Sequence, residues 1–382
     1  FSMMQRLNSL FNRRKSHQSA SLPTLETIQH PSKPWPEMDP KIWKMLPSEL
    51  LDLVLSLLPL STFLNLRSTC KHFKSLIFSP IFISTHFSSA NRSRVPSFLV
   101  LSHSQLYNTI QLYDLERCSW RGSPLPIVHS SSSLRLLSSS NGLLCFLVSD
   151  SSSFLVWNLL TKSSRIIQFF HRSIVSFSFI STPSSYKIFC IASNRAFLYD
   201  SVSHNWTSHQ TIIPNLRQDG VFFNGALIFT TREPVMVVCF IVEEGKWVEH
   251  ESELPSQLTF ARLVTDGEEK LLLVGGIGGN GISQSVKVWE LSSEGRRWVE
   301  VEKMPNLMCT KLLSVCYHNY SHLYCLWHKG IICLYCYNWA EVLYFQVSRG
   351  TWHWIPKCPS LPLKWDCGFN WFSYTPQINA LA

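Results

Sequence analysis

Two kinds of hydrophobic pattern divide the chain. Between residues 46 and 80, apolar residues recur at the spacing of an α-helix. One apolar stripe consists of Leu50, Leu53, Val54 and Leu57, and a second consists of Leu51, Leu55 and Leu58. After residue 95, short apolar runs alternate with turns rich in Ser, Gly, Asn and Pro, which is typical of β-strands. The pattern therefore predicts a small helical module followed by an all-β domain.

The helical segment is expected to contain three short helices. The first starts near Pro47, since proline is tolerated in a first helical turn, and it stops before Pro59. The second runs from Ser61 to about Thr69, and the third from Cys70 to Phe78, before Pro80. A short helix with apolar faces on two sides needs two partners, and so small a unit has few to offer. We expect the module to dock onto another protein, with packing against the chain's own β domain as the alternative.

The run from residue 46 to 87 resembles an F-box without a gap. The matching positions are Leu46-Pro47, Glu49-Leu50, Leu58-Pro59, Arg67 and Cys70-Lys71. Two positions depart from the family pattern: Thr69 stands where Val is usual, and Phe73 where Trp is usual. Both replacements roughly keep the side-chain volume, so they weaken the resemblance without removing it.

The F-box resemblance implies docking to a Skp-family linker and, through it, to a cullin. The residues expected to bind the linker are Leu46, Pro47, Leu50, Leu51, Val54, Leu57, Leu58 and Pro59. It also implies that the chain recruits a target protein to a ubiquitin ligase and carries no catalytic residue of its own.

A repeat is visible in the β domain. Six aromatic residues, each at the end of an apolar run, lie 41 to 56 residues apart at Tyr113, Trp157, Tyr199, Phe240, Trp289 and Phe345. In four of these units a Trp follows seven residues later, at positions 120, 206, 247 and 352. Trp298 follows Trp289 with two extra residues, and the unit of Trp157 has no second Trp. Six units with a period in the forties predict a six-bladed β-propeller, in which these aromatics pack between adjacent blades.

Residues 271–298 resemble a kelch repeat, with an apolar strand, Gly275-Gly276, and then the aromatic and the Trp. The other units lack the double glycine, although Asn141-Gly142 and Asn224-Gly225 open strands as in plant F-box/kelch proteins. The expected fold class is thus α+β and multidomain. A flexible basic, proline-containing segment at 1–40 precedes a three-helix F-box at 41–90 and a kelch-type propeller at 96–375.

Two motifs resemble a nucleotide-binding site and a metal site, but the residues around them predict strands that do not fit such sites. Gly276, Gly278 and Gly281 match a dinucleotide fingerprint, but a β-pattern follows them where the fingerprint needs a helix. His and Cys residues crowd between His318 and Cys336, yet the segment reads as two strands around Lys329-Gly330. Cys333 and Cys336 would then face opposite sides of a strand and could not share one ion. We therefore expect no metal and no cofactor.

The amino-acid composition argues against several other classes of protein. Hydrophobic residues make up 45% of the 382 residues and charged residues only 15%, which excludes a largely disordered chain. Of the net charge of +9, residues 1–100 contribute 12 Lys and Arg against 5 Asp and Glu, so the excess is local and no direct nucleic-acid binding is expected. No charge-free apolar run is long enough to span a membrane. The twelve cysteines lie mostly in apolar runs and favour free thiols in the nucleus, the cytoplasm or both.

The function expected is a substrate-recognition adaptor of a Skp–cullin–F-box (SCF) type E3 ubiquitin ligase, with the target protein held by the propeller. Two alternatives stay open. One is a propeller enzyme or small-molecule-binding protein with a site in its central channel, although no catalytic constellation supports it. The other is a nuclear transcriptional cofactor recruited through the propeller.

Overall fold

A computed structural model describes residues 45–88, 95–106, 108–125, 134–149, 151–171, 173–182, 184–211, 216, 219–231, 235–267 and 269–382. The chain forms two compact units, whose boundary lies between Val95 and Pro96. The predicted segment 1–40 lies outside the described residues. The domain limits 41–90 and 96–375 remain predictions. No helix in the described ranges is long and apolar enough to cross a membrane.

The first unit contains four helices within its described residues, where the sequence predicted three. They are α1 (Ser48–Ser56), α2 (Leu60–Leu66), α3 (Lys71–Leu76) and α4 (Pro80–Ser88). The additional helix begins at Pro80, which the sequence analysis treated only as a stop. Proline disrupts a helix interior, but its fixed φ and missing N–H suit a first turn, so Pro80 can begin α4 after α3 has ended at Leu76. Cys70 is not helical: its thiol caps α3 by accepting a hydrogen bond from the Phe73 N–H at 3.4 Å.

The second unit is built almost entirely of strands. The first twelve are β1 (Phe98–Ser102), β2 (Thr109–Asp114), β3 (Ser119–Pro124), β4 (Leu134–Ser140), β5 (Leu143–Val148), β6 (Ser153–Asn158), β7 (Ser164–Gln168), β8 (Ser176–Ser181), β9 (Tyr186–Ala192), β10 (Arg195–Asp200), β11 (Asn205–Gln210) and β12 (Val221–Phe223). The others are β13 (Ala226–Thr230), β14 (Val237–Ile241), β15 (Lys246–Glu249), β16 (Leu258–Thr265), β17 (Leu271–Gly279), β18 (Ile282–Leu291), β19 (Trp298–Lys303), β20 (Leu323–His328), β21 (Ile331–Cys336), β22 (Val342–Gln346), β23 (Thr351–Ile355) and β24 (Asn370–Tyr374). A helix, α5 (Asn306–Val315), lies between β19 and β20.

These strands form six antiparallel four-stranded sheets, so the predicted six-bladed propeller is confirmed. One edge strand of each sheet belongs to the inner ring, which consists of β24, β4, β8, β12, β16 and β20. Along this ring β24 contacts β4 and β20, β4 contacts β8, and β16 contacts β12 and β20. Five blades are continuous in sequence. The blade that contains β1, β2 and β3 takes its innermost strand from the C-terminus, because β24 pairs with β1 from Phe98–Tyr374 to Ser102–Asn370. We number the blades from this one, blade 1, in chain order.

The hydrophobic core of the described propeller residues divides into six clusters, one at each junction between blades. Each repeated aromatic lies on the third strand of its blade and contributes to the junction with the preceding blade. In four blades it lies directly opposite the following Trp. The ring centroids are 5.0 Å apart for Tyr113–Trp120, 5.3 Å for Tyr199–Trp206, 5.2 Å for Phe240–Trp247 and 4.8 Å for Phe345–Trp352. The prediction that these aromatics pack between blades is confirmed.

The glycine motif that resembles a dinucleotide fingerprint and the cluster of His and Cys residues both lie at β-hairpins. The three glycines of the fingerprint-like motif belong to β17 and its two-residue turn into β18, so a strand follows them as expected. His318 and His322 precede β20, and the rest of the crowded His and Cys segment forms the hairpin of β20 and β21 around Lys329-Gly330. Within it, Cys333 packs in the junction between blades 6 and 1, whereas Cys336 packs in the junction between blades 5 and 6. The two thiols therefore face opposite sides of the sheet.

Candidate partner-binding site

Helix α1 presents one of its two apolar stripes to solvent. Leu50, Leu53, Val54 and Leu57 are 49%, 46%, 38% and 51% exposed in the free chain. Such exposure is uncommon for four leucine and valine side chains in one row, because burial of each would be worth about 1.5–3 kcal/mol. The row runs along nearly the whole helix at the i, i+3, i+4, i+7 spacing and forms a continuous apolar face.

The opposite side of α1 packs within its own unit. Leu55 and Ser56 are buried, Leu51 and Leu58 are half-buried, and α1 contacts α4. The Ser56 hydroxyl donates to the Leu53 carbonyl at 2.7 Å, so this buried polar group has a partner inside the helix. The additional helix α4 thus supplies a partner for the second stripe, which the sequence alone left without one.

The predicted linker-binding residues divide between these two sides. Pro47, Leu50, Val54 and Leu57 are exposed, whereas Leu46, Leu51, Leu58 and Pro59 are half-buried. Their role in binding remains a prediction. Leu53 was absent from the predicted set although it belongs to the exposed stripe, and its helical spacing was the signal that could have found it.

A compact core holds α1 in place. Phe63 of α2 and Phe82 of α4 are both buried, with their ring centroids 4.7 Å apart. Leu55, Leu60, Phe73, Leu76 and Ile77 of this unit are also buried. A hydrogen bond joins His72 Nε2 of α3 to Asp52 Oδ1 of α1 at 2.7 Å on the surface, where such contacts contribute little stability. The apolar core therefore carries most of the stability of this unit.

Two further apolar side chains are exposed at the junction of α3 and α4. Phe78 is 61% and Ile81 is 78% exposed, and neither was predicted as a binding residue. The sequence does not identify them as exposed, because they belong to a continuous apolar run around Pro80. Residues of such a run can be assigned to a buried or an exposed face only once α4 is known. Both side chains add to the exposed apolar surface of this unit.

The chemistry of this face suits protein binding. Leucine and valine side chains offer buried area and shape, and they supply neither acid–base groups nor ligands. In the described part of the chain, no cluster of three or more His, Cys, Asp or Glu side chains is arranged to hold a metal ion. The strongly shifted titratable groups lie in the propeller. Burial lowers the pKa of His328 to about 4, and desolvation by surrounding protein raises the pKa of Asp219 to about 6.

Comparisons with known proteins identify a separate family for each of the two units. A family model described as an F-box domain matches residues 43–85, and one described as a KIB1-4 beta-propeller matches residues 98–322. An F-box/kelch-repeat protein of Arabidopsis thaliana is 48% identical over 364 residues, which cover 90% of this chain and 89% of that protein. F-box only protein 6 of Arabidopsis thaliana is 29% identical, over 84% of this chain and 71% of its own length. ABERRANT PANICLE ORGANIZATION 1 of Oryza sativa subsp. japonica is 24% identical over 94% of both chains.

Proposed function

The chain belongs to the plant F-box/kelch-repeat proteins, and on this basis we propose that it is a non-catalytic, substrate-recruiting subunit of an SCF-type ubiquitin ligase. The relatives and the F-box match support an adaptor of this kind in general. The finer proposal is that α1 tethers the chain to a Skp-family linker, and through it to a cullin, while the propeller holds a target protein.

One observation carries the tether: the exposed stripe of Leu50, Leu53, Val54 and Leu57 on a helix whose other side is packed. A partner that covers this stripe removes it from water, and burial of apolar area is the main favourable term in most protein association. In this proposal the adaptor contributes proximity, since it brings lysines of the target close to a ubiquitin-charged enzyme and fixes their orientation. Twelve free cysteines, most of them buried, support a site of action in the nucleus, the cytoplasm or both.

The test is a double substitution, Leu50→Asp with Leu57→Asp, followed by co-precipitation of a Skp-family linker with the full chain. Both positions are half exposed in the free chain, so the two aspartates stay solvated and the unit should keep its fold. In a complex they would be buried without partners, which costs several kcal/mol. We expect linker binding to weaken by roughly a hundredfold or more.

A matched control is Val202→Asp with Val248→Asp, which places the same charges at exposed apolar positions of the propeller. It should bind the linker like the unchanged chain. Circular dichroism and thermal melts of both variants check that the helices remain folded. Normal linker binding by the folded Leu50/Leu57 variant would contradict the proposed tether.

A further inference from the structure

Blade 6 carries the two longest connections between blades. Residues 304–322 lead into it and residues 356–369 lead out of it, at 19 and 14 residues, whereas the other four connections have 7 to 10. Successive turns of an antiparallel sheet alternate between its ends, so both connections lie at the same end of the propeller as the loop 337–341 between β21 and β22. We call these three segments the blade-6 loop surface.

Direct contacts join the three segments. Lys311 of α5 forms an ion pair with Glu341, and its ammonium lies 4.1 Å from the ring centroid of Trp354 on β23. Trp339 and Trp365 meet edge to face, with their ring centroids 5.9 Å apart. The buried side chains Cys309, Leu312, Leu313, Cys358 and Leu361 anchor the two long connections in the core. The surface is therefore held in one arrangement before any partner arrives, which lowers the entropy cost of binding.

The exposed side chains of these three segments include apolar and basic groups. Leu307 is 88% and Leu363 is 95% exposed, among the most exposed large apolar side chains of the described propeller. The Lys357 ammonium lies 3.9 Å from the ring centroid of Trp365, a position that is favourable for a cation. Lys357 and Lys364 form no ion pair with any carboxylate in the described ranges. The three segments contain two acidic residues, Glu341 and Asp366. Glu341 is paired with Lys311.

We propose that the blade-6 loop surface binds an acidic segment of a target protein through Lys357 and Lys364, with apolar side chains of that segment against Leu307 and Leu363. This inference rests on the proposed adaptor function and names the surface and the kind of target it would take. Unpaired ammonium groups on a fixed support attract carboxylates, and complementary charge gives specificity and a fast association rate. The exposed leucines favour a protein over a nucleic acid, because phosphate backbones offer them no apolar contact.

The probe is a fluorescein-labelled peptide in which Leu-Phe is flanked on each side by Glu and Asp residues. Its fluorescence anisotropy is measured against the full chain. A second peptide carries Lys in place of every Glu and Asp, and a third carries Ser in place of Leu-Phe. We expect the acidic apolar peptide to bind at least tenfold more tightly than either of the others. The double variant Lys357→Glu with Lys364→Glu should lose at least tenfold in affinity for the acidic peptide and gain affinity for the lysine peptide.

A matched control is Arg296→Glu with Arg349→Glu, which makes the same change of charge at exposed turns on the opposite end of the propeller. It should bind the acidic peptide within about twofold of the unchanged chain. An affinity that is equal in the Lys357/Lys364 variant and in this control would overturn the proposal. So would a single-stranded DNA probe that displaces the peptide and binds more tightly than it does.

Linker co-precipitation separates this inference from the adaptor function. The Lys357/Lys364 variant should still bind the Skp-family linker, because its substitutions lie in the propeller. Intact linker binding with unchanged peptide affinity contradicts the blade-6 surface alone. Normal linker binding by the folded Leu50/Leu57 variant contradicts the proposed tether, whatever the peptides do.

Discussion

Single side chains connect adjacent blades of the propeller. The indole N–H of Trp206 in blade 3 donates to the carbonyl of Gln168 at the end of blade 2, at 3.0 Å. Trp120 in blade 1 repeats this contact, with the Pro356 carbonyl after blade 6 as acceptor at 3.2 Å. Each of these two Trp residues therefore adds a directional bond to the aromatic packing at its junction.

Truncation of such a Trp should destabilise the propeller. Trp206→Ala removes ring contacts with Phe154, Phe169 and Tyr199 together with the bond to Gln168, so we expect a loss of about 3 kcal/mol in the free energy of unfolding. Trp206→Phe should lose less, since it keeps most of the packing. Urea unfolding measures both.

A control position is available on β7 of blade 2, where Ser164 pairs with Trp157 in place of a second Trp and Ile166, two residues further on, is half exposed. Ile166→Ala should cost well under 1 kcal/mol, as surface substitutions usually do. Equal losses for Trp206→Ala and Ile166→Ala would mean that the repeated tryptophans do not stabilise the junctions.

His328 makes the stability of the propeller depend on pH. It is buried, its Nδ1 lies 2.9 Å from the Ser373 hydroxyl, and burial lowers its pKa from 6.5 to about 4. The unfolded chain therefore takes up this proton before the folded chain does. Its contribution to stability is complete above pH 6.5 and is lost as the pH falls to about 4.

The change expected from His328 is roughly 3 kcal/mol, from the size of the pKa shift. His328→Gln removes the titration and keeps a polar partner for Ser373. Urea unfolding at pH 7.5 and 4.5 should show a smaller loss of stability on acidification in the variant than in the unchanged chain. Parallel pH profiles for the two proteins would show that His328 is not desolvated.

At the scale of secondary-structure elements, the double glycine in β17 is explained by close packing. A Cβ on Gly275 would approach the Leu258 side chain and the Phe260 carbonyl, at 2.6 and 3.0 Å. A Cβ on Gly276 would collide with the Ser283 hydroxyl and the Phe260 ring. The two glycines therefore allow side chains of β16 and β18 to pack closely against β17. Packing alone explains glycine at these positions, without any role in ligand binding.

Gly276→Ala should cost roughly 1–3 kcal/mol through overpacking. Gly279→Ala is the matched control on the same strand, because a Cβ there meets no atom within 4 Å. It should be neutral or slightly stabilising, since Ala restricts the unfolded chain more than Gly does. Thermal or urea unfolding of both variants decides the question, and an equal effect at the two positions would exclude packing as the cause.

At the scale of the whole molecule, the ends of the propeller sequence close the ring. β24 supplies the innermost strand of blade 1, with Trp371 and Tyr374 buried in the junctions on its two sides. The chain then continues onto blade 2, where the buried Asn158 amide donates to the carbonyls of Gln377 and Ala380, both at 2.9 Å. Residues 376–382 thus add to the closure beyond the predicted limit of 375.

Removal of residues 370–382 should open the propeller. Without β24, the strand β1 loses its partner on the inner side, and two junctions lose buried aromatic rings. We expect the shortened chain to lose its cooperative thermal unfolding transition, observed by circular dichroism at a β-sheet wavelength. A synthetic peptide of residues 368–382 should restore the transition in part. A shortened chain that melts like the full one would show that closure by β24 is dispensable.

The sequence by itself determined the features that depend on local periodicity. Apolar spacing marked α1 and its two stripes, the recurrence of aromatics marked six blades, and the dipeptides Asn141-Gly142 and Asn224-Gly225 marked tight turns. In the structure both residues of each dipeptide have positive φ, between 42° and 81°, which few other residue pairs adopt easily. The stripes and the turn dipeptides span ten residues or fewer, and the aromatics recur every 41 to 56 residues along the chain, so all three signals can be identified without any tertiary partner.

Only the tertiary structure decided which stripe of α1 stays exposed, because the answer depends on α4, a helix that Pro80 concealed. The same holds for Arg262, which reads as a surface charge within a β-pattern. It is fully buried in blade 5, and its guanidinium donates to the carbonyls of Ala261, Tyr320 and Leu323, the last at the start of blade 6. Burial of a charge is tolerable only where such acceptors converge. Arg262 and its acceptors Tyr320 and Leu323 are about 60 residues apart in sequence. They meet only because blades 5 and 6 are neighbours in the closed ring, and no local sequence pattern predicts that contact.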